Sequence, residues 1–295
     1  MQGKELEERI EEVERRWLPD LKNYIREEFG RVFLPSHDHL HHWRVWKTGR
    51  EILIHISVFN NTIDQDLAEG VLMACMFHDL GMIRTMDREH GRISREMFEA
   101  YITGRGSTPP RLMDEIAEAI EIHDRKGEHI FPEIPVEDKP SVATILSLAD
   151  DLDAMGTNGI YRYAEIYLHR DMPLEKLGIE VLANLSSRYA TLAKICFTCP
   201  ALLNQHRQQY SEVISFYDKY NQQILSDPNP RTAISGHIGV INLIRQLSIE
   251  KKIPPADFAR HCNPEQNGRI LINYFNQLAK LYEEYNQDFD RPNPH

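Results

Sequence analysis

The apolar residues of this chain recur at three- and four-residue spacing along nearly every extended segment. This spacing places apolar side chains on one face of an α-helix, whereas strands need an alternating pattern, and alternating runs of β-branched residues are scarce. Residues 4–29 show the helical pattern first, with Ile10, Trp17 and Leu21 on one side and Gly30 as the expected end. We therefore predict an all-α fold.

Turn-forming residues, such as Asn60 with Asn61 and the proline-rich stretch 131–140, divide the pattern into separate helices. In the first half, helices are predicted at 38–57, 64–80, 88–103, 111–124 and 139–154. In the second half, they are predicted at 175–197, 201–225, 232–249 and 264–286, with Asn263 capping the last one ahead of Pro264. We interpret residues 1–30 as an N-terminal packing helix, 171–287 as a C-terminal helical extension and 288–295 as a disordered tail.

The charge balance is acidic, with 34 Lys and Arg residues against 45 Asp and Glu residues and a net charge of −11. Such a surface argues against a nucleic-acid polymer or a membrane as partner, while a small anionic substrate is compatible with it. The N-terminus has no apolar signal-peptide core, no apolar run approaches the ~20 residues of a membrane helix, and the four cysteines are too few for a disulfide framework. We expect a cytoplasmic protein.

Three of the fourteen histidines fall on the apolar faces of three different predicted helices. They are His41, His90 and His123. A single histidine in such a position is more often a satisfied core residue than a metal ligand. Three of them, together with buried acidic residues, favour a functional site instead.

Acidic residues reach the same interior at two points. The doublet His78-Asp79 follows the apolar run 71–77, and Asp150 continues the apolar stripe that includes Leu146. A buried carboxylate without a partner costs several kcal/mol, and a divalent cation removes that penalty. A mixture of imidazole and carboxylate ligands suits iron, manganese, cobalt, nickel or zinc better than magnesium or calcium.

Three motifs in the first half of the chain resemble those of the HD-domain metal-dependent phosphohydrolases. The motifs are residues 36–46 with His41, the sequence Phe-His-Asp-Leu-Gly at 77–81, and residues 148–156 with Asp150. The resemblance covers about residues 31–164. It implies an HD-domain helical bundle as the catalytic domain, at 31–170, and metal ligation by four residues: His41, His78, Asp79 and Asp150.

The number of metal ions stays open at this point. In the two-metal branches of the superfamily, two further histidines lie between the His-Asp doublet and the last aspartate, and His90 and His123 occupy those positions here. Asp79 would then bridge two ions. The alternative is that both histidines surround a single ion or contact the substrate. Met82 stands where many members carry lysine, which puts one substrate contact in doubt.

The resemblance implies hydrolysis of a small phosphate ester or nucleotide, through a metal-bound hydroxide held by one or two divalent transition-metal ions. Asp79 would be the central catalytic residue, and Arg44 and Arg84 would bind the phosphate. Two alternatives remain: a di-iron oxygenase of the inositol-oxygenase-like branch, and a metal-stabilised signalling or scaffold module without turnover. The C-terminal helices are expected to close the pocket and to form a homodimer. In the turn 235–239, two glycines permit close backbone approach, and His237 either reaches a substrate or, as we expect, has a structural role.

Overall fold

The computed structural model describes residues 2–58, 63–106, 108–125, 140–195 and 200–291. Every regular element in these residues is helical, and no strand occurs among them, so the predicted all-α fold is confirmed. The chain divides into two compact units. Of the described residues, those up to Asp153, those between 192 and 203, and Arg291 form the first unit, and those at 154–191 and 204–290 form the second. The domain limits expected from the sequence, after residues 30 and 170, stay predictions.

Six α-helices make up the first unit as far as Asp153 in its described part. They are α1 (Gln2–Phe29), α2 (His39–Ser57), α3 (Gln65–Phe77), α4 (His90–Arg105), α5 (Met113–Ile122) and α6 (Val142–Asp153). A short 3-10 helix, Leu80–Ile83, lies between α3 and α4. Two of the helices begin at aspartate N-caps: the Asp38 carboxylate accepts hydrogen bonds from the backbone N–H of Leu40 and His41, and the Asp64 carboxylate accepts one from Leu67.

Helix α3 is the centre of the first unit. Every residue from Leu67 to Phe77 is buried, and α3 packs against α1, α2, α5 and α6. Burial on all sides explains why this helix is the most apolar stretch of the first unit rather than an amphipathic one. Because α3 ends at Phe77, the two residues that follow it, His78 and Asp79, emerge inside the unit and not at its surface.

Two glycines allow neighbouring backbones to approach closely beside this point. A Cβ atom on Gly81 would lie 2.1 Å from the carbonyl oxygen of His90, so the 3-10 helix rests directly on α4. A Cβ atom on Gly91 would lie 2.5 Å from the carbonyl oxygen of Glu121, so α4 rests directly on α5. Only glycine fits at either position without a backbone shift. The two contacts bring the start of α4 next to the ends of α3 and α5.

Five further α-helices are described after Asp153. They are α7 (Gly156–His169), α8 (Leu174–Ile195), α9 (Pro200–Ser226), α10 (Gly236–Ile244) and α11 (Arg269–Asp290). A π-helix, Arg245–Glu250, continues directly from α10, and a 3-10 helix, Pro255–His261, precedes α11. In the second unit, α7 packs against α10, α11 and the π-helix.

Several predicted boundaries in the second half are wrong. The helix expected at 232–249 begins only at Gly236 and changes to a π-helix at Arg245. The helix expected from Pro264 begins at Arg269, because Asn263 caps a tight turn instead: its side-chain oxygen accepts a hydrogen bond from the backbone N–H of Glu265 at 3.0 Å. Helix α11 continues to Asp290, into the segment expected to be disordered.

Other predictions fall where the structure describes nothing. These are the turn at 60–61, the proline-rich stretch as far as residue 139, and the tail from 292 onward. Among the helices that are described, none combines the length and the apolar character needed to cross a membrane.

Candidate metal centre

Six buried histidine and aspartate side chains converge inside the first unit, and they are the six ligands predicted from the sequence. Each is between 0 and 6 % exposed: His41, His78, Asp79, His90, His123 and Asp150. Five elements supply them. They come from α2, the residues after α3, the first residue of α4, the residue after α5, and α6. Residues far apart in sequence therefore meet because the helices pack, not because they are neighbours in the chain.

The first cluster consists of His41, His78, Asp79 and Asp150. The Nε2 atoms of His41 and His78 are 3.0 Å apart, and they lie 3.3 and 3.4 Å from Oδ2 of Asp79. Oδ1 of Asp150 is 3.8 and 4.0 Å from the same two nitrogens. Adjacent donor atoms that share an ion at about 2.1 Å are separated by roughly 3.0–3.4 Å, so the spacings among His41, His78 and Asp79 fit a single ion, whereas the Asp150 oxygen lies farther from both histidines than that range.

The second cluster consists of Asp79, His90 and His123. Oδ1 of Asp79 lies 3.3 Å from Nε2 of His90 and 2.9 Å from Nε2 of His123, and the two nitrogens are 3.3 Å apart. Asp79 thus directs one carboxylate oxygen to each cluster. Throughout the residues that the structure describes, no other group of three or more His, Cys, Asp or Glu side chains has its donor atoms this close together.

The other ring nitrogen of each histidine is bound to an acceptor. Nδ1–H of His78 donates to the carbonyl oxygen of Cys75 at 3.0 Å, that of His90 to Asp87 at 2.7 Å, and that of His123 to Ile120 at 2.7 Å. Carbonyl oxygens only accept, so Nδ1 carries the hydrogen in each ring. In the neutral rings, Nε2 therefore presents a lone pair to the carboxylates, and two acceptors at these distances require a proton or a cation between them.

The pKa shifts of Asp79 and His90 also show that the second cluster favours positive charge. Burial alone would raise the pKa of Asp79, but the neighbouring His78, His123 and His41 outweigh it and hold that pKa well below its usual range. Burial alone would lower the pKa of His90, but the hydrogen bond and the charge of Asp79 raise it to about 9. The Asp79 carboxylate therefore attracts positive charge to this position, whether as a proton or as a metal ion.

Arg44 was expected to bind the substrate phosphate, but it pairs with the carboxylate of Asp153. Its Nε and one terminal nitrogen donate to the two carboxylate oxygens of Asp153, at 2.6 and 3.0 Å, and both residues are buried. Oδ2 of Asp153 also accepts Nδ1–H of His41 at 2.9 Å. Arg44 is thus a positioning residue: it fixes the carboxylate that orients the imidazole of His41.

Arg84, the other residue predicted to bind phosphate, lies at the end of the 3-10 helix Leu80–Ile83 and is exposed. No carboxylate of the described residues is within ion-pair distance of it, so its guanidinium is available for an anion. Asp79, named as the central residue of the site, occupies that position between the two clusters.

Sequence reasoning missed Asp124. Its Oδ2 is 3.9 Å from Nε2 of His90, and its side chain is 28 % exposed, far more than the six buried residues. The signal was present, because His123-Asp124 repeats the His78-Asp79 doublet at the end of another helix. The neighbouring His42 belongs to neither cluster: its Nδ1–H donates to the carbonyl oxygen of Cys75, and burial together with His78 and His41 lowers its pKa well below 6.5, so the ring stays neutral.

Comparison with known protein families matches residues 40–155 to the HD domain. The match includes all six buried residues and Asp153, and it is consistent with the superfamily that the motifs of the chain resemble. HD domains bind divalent metal ions and are generally metal-dependent hydrolases. Searches of curated proteins and of solved structures found no match.

Proposed function

We propose that this protein is a metal-dependent phosphohydrolase that acts on a small phosphate ester or nucleotide and uses two divalent transition-metal ions. One observation carries the two-ion proposal. The two oxygens of Asp79 face two separate histidine pairs, and every one of those histidines has its Nδ1 bound to an acceptor. His41, His78, Asp79 and Asp150 would hold one ion, and Asp79, His90 and His123 the other.

A divalent ion bound there lowers the pKa of coordinated water toward neutrality and offsets the charge that develops on phosphate oxygens. The chain itself orients the four imidazoles through their Nδ1 hydrogen bonds, so that each Nε2 faces a carboxylate oxygen of the two clusters. Asp124 lies beside His90 and is partly exposed, which suits it to accept a proton at the solvent side of the second cluster. Arg84 is the candidate for binding the substrate phosphate because it is exposed and has no carboxylate partner.

The substrate is proposed to be small. The net charge of −11 opposes a polyanion, and the six inward-facing ligands suit a compact phosphate group. The oxygenase alternative would use the same six ligands with two iron ions and dioxygen, so the second cluster alone does not separate it from a hydrolase. The two reactions differ in what they consume and release.

The test combines metal analysis with a reaction screen. Protein purified without added metal is analysed by mass spectrometry for bound metals. It is then assayed with phosphate monoesters for release of phosphate, and with phosphodiesters and dinucleotides for release of the corresponding phosphomonoester. We expect about two ions per chain and hydrolysis of a phosphate ester that a chelator abolishes and added metal restores. The Asp79→Ala variant, purified in parallel, controls for contaminating phosphatases.

Two results would overturn the proposal. Oxygen consumption by a two-iron protein without phosphate release would assign the chain to the oxygenase reaction. A fully metal-loaded protein that turns over none of these compounds would favour a metal-stabilised scaffold.

A further inference from the structure

A second concave site lies within the second unit, formed by the middle and end of α10, the π-helix and the segments before α10 and α11. Its volume is about 420 Å³, which falls within the range of small-molecule pockets. Apolar side chains, among them Ile234, Leu243 and Leu271, line part of it, and amides and two arginines line the rest. None of its residues belongs to the metal centre.

Asn242 lines this cavity and has an unused acceptor that is covered by its neighbours. Its side-chain NH₂ donates to the carbonyl oxygens of Pro230 at 2.7 Å and Ala233 at 2.9 Å. These two bonds fix the orientation of the amide, because a flipped amide would set its oxygen against two carbonyls. The remaining Oδ1 is buried and accepts no hydrogen bond within the described residues. A buried acceptor without a donor is costly, so a bound molecule with an N–H or O–H group would satisfy it.

Two guanidinium groups line the same cavity. Arg231 has no carboxylate within ion-pair distance among the described residues. Arg245 lies 3.8 Å, from its Nε, from Oε1 of Glu250, which also lines the cavity, and one of its terminal nitrogens donates to the carbonyl oxygen of Arg231 at 3.4 Å. Both arginines are at least partly accessible. Paired guanidiniums are the side chains best suited to bind a phosphate dianion, because each can donate two parallel hydrogen bonds.

The local backbone supports a functional role for this place. Arg245 is the first residue of the π-helix Arg245–Glu250, and π-helical turns occur frequently at functional sites. A Cβ atom on Gly239 would lie 2.7 Å from the carbonyl carbon of Ile234, so the segment before α10 packs directly on that helix. This packing holds the carbonyls of Pro230 and Ala233 against Asn242.

We propose that this cavity binds a small phosphomonoester whose phosphate contacts Arg231 and Arg245 and whose amino or hydroxyl group donates to Oδ1 of Asn242. A nucleoside monophosphate and a sugar phosphate both carry this chemistry. The site is independent of the metal centre, and its ligand need not be a substrate.

Isothermal titration calorimetry on the full chain, after dialysis against a chelator, tests the proposal. The probes are adenosine 5′-monophosphate, ribose 5-phosphate, adenosine and inorganic phosphate. We expect one molecule of at least one phosphomonoester to bind per chain with a Kd below about 1 mM, and adenosine and phosphate to bind at least about tenfold more weakly. Binding of both phosphomonoesters assigns a sugar hydroxyl to Asn242, and binding of the nucleotide alone assigns an amino group of the base.

Substitutions at the arginines separate this site from the metal centre. Arg231→Gln and Arg245→Gln should each weaken phosphomonoester binding about tenfold, as the loss of a charge-assisted contact does. Arg260→Gln is the matched control, since Arg260 lies in the same unit, is 76 % exposed and does not line the cavity. The same titrations on Asp79→Ala should be unchanged. Failure of every probe to bind at about 5 mM, binding of phosphate alone as tight as that of its esters, or binding unaffected by both arginine variants would overturn the proposal.

Discussion

The two units bury polar side chains in different ways. In the second unit, the hydroxyls of Tyr161 and Ser248 both donate to Oε1 of Glu165, the former at 2.5 Å, so donors meet an acceptor. In the first unit, histidine Nε2 atoms face carboxylate oxygens, so acceptors meet acceptors. The first arrangement is complete within the protein, whereas the second becomes favourable only when a proton or cation is added. Convergence of unsatisfied acceptors, rather than burial of polar groups as such, distinguishes a metal centre from a polar core.

The largest effect is expected for Asp79→Ala, which removes the carboxylate shared by both clusters. Both ions should be lost and activity should fall at least about a thousandfold, because each cluster loses a ligand. Helix content by circular dichroism should stay near wild type, since the core around α3 is apolar. Asp114→Ala, at an exposed position of α5, is the control. A fully active, metal-loaded Asp79→Ala protein would show that the converging acceptors of the first unit do not form a metal centre that depends on Asp79.

A smaller effect is expected when only the second cluster is disrupted. His90→Ala and His123→Ala should each reduce the metal content from about two ions to about one, while His41 and His78 keep the first ion. Metal analysis after dialysis measures this. His55→Ala is the matched control, because that ring donates to the carbonyl oxygen of Glu51 on its own helix. An unchanged metal content with weaker substrate binding would mean a single-ion centre.

Removal of a supporting residue should weaken metal binding without abolishing it. Asp153→Asn leaves one carbonyl oxygen for two partners, Arg44 and His41, so metal affinity should fall about 10–100-fold. Arg44→Lys retains the charge but not the bidentate geometry, and should cost about tenfold or less. Competition with a chromophoric chelator gives the affinities, with exposed Asp114→Asn as control. If instead Arg44→Lys raised KM and left metal affinity intact, Arg44 would contact substrate.

The smallest effect is expected at His237 in the second unit, where the ring packs against Phe216 with centroids 5.0 Å apart. His237→Ala should change activity less than about tenfold, because His237 belongs to neither cluster of potential metal ligands found in the described part of the chain.

The contribution of His237 to the stability of the folded protein should depend on pH. Burial lowers the pKa of His237 below 6.5, so the unfolded chain takes up a proton that the folded chain does not. The stabilising effect is complete above pH 6.5 and declines as the pH falls below it. His237→Gln lacks this decline, so the difference in Tm between wild type and variant should shift by about 1–3 °C in favour of the variant between pH 7.5 and 5.5. A difference that does not change with pH would mean that the native ring titrates normally.

Features set by local sequence were predicted well. The three- and four-residue spacing predicts helices because it is a property of neighbouring residues, and the His78-Asp79 doublet after an apolar run marks the interior end of α3. The pairing of Arg44 with Asp153 was not predicted, because the two residues are 109 positions apart and nothing local connects them. The same holds for the late start of α11, where the turn at Asn263 replaces a cap that the local sequence favours.

The glycines at 81 and 91 have a consequence for how metal content is inferred from related sequences. Neither glycine contributes a donor atom. Gly81 sets the distance between the 3-10 helix that follows Asp79 and the start of α4, and Gly91 sets the distance between α4 and α5. A methyl group at position 91 would push the start of α4 away from the end of α5 and separate His90 from His123. A relative that retains all six residues but carries a side chain at this position is therefore expected to lack the second of the two proposed ions, and a count of ligands alone would overstate its metal content.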